Sequence, residues 1–233
     1  MAQTGIDAIL GVQAKTIFPK RKYIISSLII GIIIPDLDFI IEYILSITMK
    51  YNLLHQHYFF NSIFHSIFMI PFLSLLILIY AEIKKNNDFK VIAIGLSIGM
   101  ACHIIIDILT LQSIGVFYPL FDYKENFNLN KYFNINISDQ IKKILYASEF
   151  LFFHIYAWML IEKIINKPYN NYILIKKITM WMKGELYVFL LFLLFIYFEM
   201  NDKTFMNIFG IFYIPSFIIT IYTTYKMRKT LDQ

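Results

Sequence analysis

The sequence predicts an all-α, polytopic transmembrane helical bundle with about six membrane helices, and three observations carry that prediction. Of the 233 residues, 58% are hydrophobic and 18% aromatic, while only 16% are charged. Soluble domains carry about 25% charged residues. Several apolar runs reach or approach the roughly 18–20 residues that cross a hydrocarbon core as a helix.

Those runs cover residues 24–47, 63–83, 91–111, 144–165, 186–198 with its aromatic flanks, and 205–225. None shows the period-2 alternation of a barrel strand. A lipid-facing segment must satisfy its backbone hydrogen bonds within itself, so each run is expected to be helical.

The net charge of +5 is informative through its placement. Lys15, Lys20, Arg21 and Lys22 precede the first run, Lys84, Lys85 and Lys90 follow the second, and Lys163, Lys167, Lys176, Lys177 and Lys183 follow the fourth. Lys226, Arg228 and Lys229 follow the sixth, whereas Lys50 and Lys203 stand alone in the opposite connections. Basic loops stay cytoplasmic, which predicts both termini inside and no nucleic-acid partner. The N-terminal basic residues and the run after them resemble a signal sequence without a small-residue cleavage site, and are expected to form an uncleaved anchor. Residues 1–22 are expected to form a short interfacial helix and a basic link.

Cys102 is the one cysteine, so neither an internal disulfide nor a thiolate cluster can form. Any metal needs histidine and carboxylate ligands. Ionisable groups inside membrane helices cost about 2.5–3.5 kcal/mol on insertion scales, which makes each a candidate for function.

Three groups stand out. Asp36 and Asp38 follow Pro35 inside the first run, and on a straight helix they would point about 200° apart. Proline supplies a break at which they can converge; the plain alternative is a kink capped by acids. His103 and Asp107 are four residues apart, hence on one helical face with Gly99 and Thr110. Such a pair can bind one metal together, or the acid can orient a liganding imidazole, or the two can simply pack as a buried pair. The third group is His55, His57, Asn61 and His65-Ser66 at the start of the second run, with His65 its strongest member. By the loop assignment Asp36, Asp38, His65, His103 and Asp107 share the outer half of the membrane. The later runs offer almost no ionisable lining beyond His154 and Glu162, which argues against a transporter path.

With these motifs in hand, residues 1–121 resemble the YdjM-like family of bacterial inner-membrane metal-dependent hydrolases. The resemblance rests on Gly31 with Pro35 through Asp38, on His65-Ser66, and on Gly99, His103, Asp107, Thr110, Gly115, Tyr118, Pro119 and Phe121. Two positions depart from the family pattern. Asp7 stands where the family has an N-terminal histidine, and Phe60, Asn61 and Phe64 stand where it has a His-Arg pair and a threonine. Asp7 and His57 are therefore additional ligand candidates.

The resemblance implies a membrane-bound metal-dependent hydrolase, distantly similar to zinc-dependent phospholipase C enzymes, in the bacterial cytoplasmic membrane. The expected metal ligands are Asp36, Asp38, His65, His103 and Asp107, with Asp36 and Asp38 also catalytic and Ser66 and Thr110 behind them. Mixed imidazole and carboxylate donors suit zinc or manganese. The expected substrate is a phosphoester of a membrane lipid, of a lipid-linked intermediate or of a small molecule. The competing reading is a noncatalytic membrane protein with a degenerate or structural metal site; a transporter ranks third. The chain is expected to divide into a metal-site half (1–121), a polar external segment (122–143) and a three-helix membrane half (144–233).

Overall fold

The computed structural model describes residues 4–18, 21–48, 63–109, 115–120, 138–165 and 172–232. Among these every regular element is helical. A short helix α1 (Thr4–Gln13) precedes α2 (Ile24–Ile33), a 3-10 turn (Ile34–Asp36) and α3 (Leu37–Thr48); α4 (Met69–Lys84) and α5 (Asp88–Leu109) follow. The C-terminal part contains α6 (Asp139–Ile165), α7 (Tyr172–Tyr197), α8 (Asp202–Lys226) and the single turn α9 (Arg228–Leu231).

Among the described residues, five helical stretches are long and apolar enough to cross a membrane: Ile24–Thr48, which joins α2 to α3, and α5, α6, α7 and α8. Pro35 accounts for the one interruption. It lacks the N–H that a continuous α-helix would use, and it sits in the first residues of the 3-10 turn, where that loss costs little.

The second predicted run, 63–83, behaves differently from expectation. α4 has 16 residues and so extends about 24 Å, shorter than a full hydrocarbon core. Residues 63–68 form turns instead of the first part of the helix. Their polar groups are engaged elsewhere: Phe64 N–H donates to Asp38 Oδ2 (3.0 Å), Ile67 N–H to the Val116 carbonyl (2.9 Å) and Ser66 Oγ to the Tyr118 carbonyl (2.5 Å). A reversal of the chain is nevertheless required here, because α2 and α5 run in the same direction. Gly95 abuts Ile24 and Ser27, and one turn later Gly99 abuts Leu28 and Ile32. A Cβ on Gly31, Gly95 or Gly99 would overlap backbone atoms of the facing helix, so these glycines permit a close approach that any side chain would block.

α1 is also more deeply placed than an interfacial helix. It buries Thr4, Gly5, Asp7, Ala8, Gly11 and Val12 between α2 and α6. Gly11 faces Ile29 and Thr4 reaches Asp36, so α1 runs antiparallel to α2. α7 begins well before the predicted run at 186, with Lys176, Lys177 and Lys183 exposed along its first half. Long cationic side chains on one face let a helix continue past its apolar stretch.

The C-terminal helices enclose an aromatic core. Phe192 packs edge-on against Phe205 and Phe209 and stacks on Phe150 at 5.0 Å, and Phe209 stacks on Tyr213 at 5.4 Å. Asp232, after α9, closes the structure by accepting from the backbone N–H groups of Tyr23, Ile25 and Ser26, which caps the start of α2.

Candidate metal centre

The parallel packing of α2 and α5 decides where the polar groups meet. One turn beyond Gly99, His103 comes level with the 3-10 turn that carries Asp36. The turn before α4 delivers His65 from the side, and α1 delivers Asp7 from behind. Asp7, Asp36, Asp38, His65, His103 and Asp107 are all buried, none more than 6% exposed.

At the centre lie His65 Nε2, His103 Nε2 and Asp107 Oδ2. The two ring nitrogens are 3.2 Å apart, and each lies 3.2 Å from the carboxylate oxygen. A triangle of this size has room for a tetrahedral cation, and its 3.2 Å edges are also within hydrogen-bond range. Ligand distances of about 2.0–2.1 Å give donor separations of roughly 3.3 Å. Asp36 approaches the same two imidazoles: one donor atom from each of Asp36, His65 and His103 lies within 4.8 Å of the others. Asp36, His65 and His103 thus form a buried group that could hold a metal ion, with Asp107 beside the two imidazoles.

The far side of each imidazole faces a second carboxylate. His65 Nδ1 lies 3.0 Å from Asp38 Oδ2, and His103 Nδ1 lies 2.7 Å from Asp7 Oδ2, the latter an ion-pair contact without the alignment of a hydrogen bond. A carboxylate behind a metal-binding histidine fixes its tautomer and raises its basicity. Asp38 Oδ2 is occupied by His65 and by the Phe64 N–H. Its geometry is that of a group orienting His65, whereas Asp7 faces His103 as an ion-pair partner.

Asp7 Oδ1 and Asp38 Oδ1 are buried without a hydrogen-bond partner. Four carboxylates around two imidazoles in a dry interior carry an excess of negative charge, and a divalent cation offsets it. The donor set, the triangle and the orphaned oxygens all fit a bound metal.

Ser66 lies beside His65, but its hydroxyl is bound to the loop at Tyr118 and it supports the turn instead of touching the imidazole ring. His57 and Thr110 lie outside the described residues. His154 is remote from this cluster: it pairs with the Met182 carbonyl at 2.8 Å and ties α6 to α7.

Sequence reasoning passed over four residues. Thr4 donates to Asp36 and meets the Tyr213 hydroxyl at 2.5 Å, while Glu149 Oε1 accepts from the Gly5 N–H at 2.6 Å. Glu185 accepts from Trp181 Nε1 and Ser216 Oγ at 2.5 and 2.6 Å. The expectation that the later helices lack ionisable groups beyond His154 and Glu162 is therefore incorrect, because Glu149 and Glu185 are buried in α6 and α7. A glutamate within an aromatic membrane run is itself a readable signal, which Glu149 carried; Glu185 fell just outside the run predicted to start at 186.

The model of one protein family, described as YdjM inner membrane protein, matches residues 2–205. The chain belongs to the YdjM inner membrane protein family. The match reaches well past residue 121, where the sequence resemblance was expected to end, and takes in α6 and α7. With the five apolar helices it makes the chain a protein of the inner membrane. No curated protein and no solved structure matches the chain.

Proposed function

We propose that this member of the YdjM family is a membrane-bound metal-dependent hydrolase acting on phosphoester bonds of lipid or lipid-linked substrates. The observation that carries the reading is the 3.2 Å triangle of His65, His103 and Asp107, each imidazole backed by a carboxylate. Buried helix-to-helix polar contacts need no such symmetry. In this reading the site lies in the outer half of the membrane, and both termini are cytoplasmic.

In the proposed mechanism His65, His103, Asp107 and Asp36 hold one zinc or manganese ion. When bound, the ion lowers the pKa of a water and polarises a phosphoryl oxygen. The protein's own residues do the rest. Asp38 would keep the His65 proton on Nδ1, so that Nε2 presents its lone pair, while Asp7 would face His103 as an ion-pair partner. Asp36 has one oxygen engaged by the Thr4 hydroxyl, which fixes the carboxylate that would complete the ligand set.

The test is to purify the protein in detergent, measure bound metal by elemental analysis, and compare it with a His103→Ala, Asp107→Asn double variant. About one zinc or manganese per chain, lost in the variant, together with hydrolysis of lipid phosphoesters, is the expected result. No metal in either protein after reconstitution with added metal would sink the proposal.

A second reading has its own support. The six cluster residues are at most 6% exposed, a degree of closure that suits a structural metal clip. Stoichiometric metal without turnover of any phosphoester would favour it.

A further inference from the structure

Helix α1 meets the metal cluster on one side and the C-terminal helices on the other. Two of its residues face the cluster: Thr4 binds Asp36, and Asp7 stands behind His103. A helix of ten residues has little capacity to hold itself in place. It packs against α2 and α6, and its first residues are held by hydrogen bonds to α6 and α8. Because the Thr4 proton is given to Asp36, the Tyr213 hydroxyl is the donor in its 2.5 Å contact with Thr4 Oγ1. The Gly5 N–H belongs to the first turn, where no intrahelical acceptor exists, and Glu149 Oε1 takes it at 2.6 Å. The carboxylate also sits at the positive end of the α1 dipole.

The fit at this point leaves no slack. A Cβ at position 5 would stand 2.6 Å from Phe152 Cβ and 3.1 Å from the Glu149 carbonyl oxygen. Tyr213 and Glu149 are fully buried, and their hydrogen bonds to this region go to Thr4 and Gly5 of α1. A tyrosine hydroxyl and a carboxylate in an apolar interior are costly unless engaged, and these two are engaged at the start of one helix.

We infer that Tyr213 and Glu149 are positioning residues of the metal centre: Tyr213 acts through Thr4 on Asp36, and Glu149 acts through Gly5 and α1 on Asp7. The C-terminal helices then serve the site without contributing a ligand to it. This rests on the metal-binding reading above and extends it to the second half of the chain.

The experiment measures zinc affinity by competition with a chromophoric chelator, in the full-length protein in detergent, alongside thermal unfolding. Tyr213→Phe removes one oxygen and keeps the ring, so the fold persists. Its affinity falls about tenfold, as for other groups that orient metal ligands. Glu149→Leu falls by a similar factor, whereas Glu149→Gln retains an acceptor for Gly5 and recovers most of the affinity. If Glu149→Leu does not fold, Tyr213→Phe decides alone. Unchanged affinity in Tyr213→Phe and in any folded Glu149→Leu, with the unaltered protein binding zinc, overturns this inference only. Absence of zinc binding in the unaltered protein overturns both it and the metal-binding reading.

Discussion

The metal-site end of the molecule and its C-terminal aromatic core reach the same degree of burial by opposite means. Around His65 and His103, buried polar groups converge from α1, the 3-10 turn, α3, the turn before α4 and α5. Around Phe192, five aromatic neighbours fill space with edge-on and stacked contacts that require no particular chemistry. The first region is specific and intolerant of chemical change; the second is intolerant of changes in volume. The two meet at Tyr213, which stacks on Phe209 and bonds Thr4.

That contrast can be broken most forcefully from the aromatic side. Phe192→Ala deletes a fully buried ring and is expected to cost about 3–5 kcal/mol of stability, read by thermal or denaturant unfolding, while the folded fraction binds metal with unaltered affinity. Loss of metal affinity would show that the two regions are not separable. Gly99→Ala tests the contact between α2 and α5 that sets His103 level with Asp36. A methyl group there meets Leu28 and Ile32 backbone, and a cost of about 1–3 kcal/mol together with weakened metal binding is expected.

Asp38→Asn sharpens the comparison chemically. It preserves volume but weakens the acceptor behind His65, and a 10- to 100-fold loss of metal affinity with little change in melting temperature is expected. A large drop in melting temperature at constant affinity would make Asp38 a structural group. The smallest effect is expected at His154, whose bond to the Met182 carbonyl is an ordinary helix-to-helix contact. His154→Phe should lower stability by about 1 kcal/mol and leave metal content unchanged.

Much of the fold was legible in advance because its rules are local. A run of about 20 apolar residues has one way to satisfy its backbone in lipid, and five of the six predicted runs contain a helix long enough to cross. Lys183 marked the wrong boundary for α7 because a helix ends where its backbone hydrogen bonds end, not where its hydrophobicity does. α4 starts late because Phe64, Ser66 and Ile67 are bound by Asp38 and by the loop at residues 115–120, contacts that no local pattern announces.

By itself the sequence determined the class of solvent, the break at Pro35 and the shared face of His103 and Asp107. All three follow from backbone hydrogen bonding and helical periodicity within a few residues. Only the tertiary structure decided that Asp38 stands behind His65 and Asp7 behind His103, and that Tyr213 and Glu149 secure α1 from residues 209 and 144 positions away in the chain. Those roles depend on which faces of parallel and antiparallel helices pack together. That choice is set by glycine contacts, shape and burial over the whole bundle, and it leaves no periodic trace in any one segment.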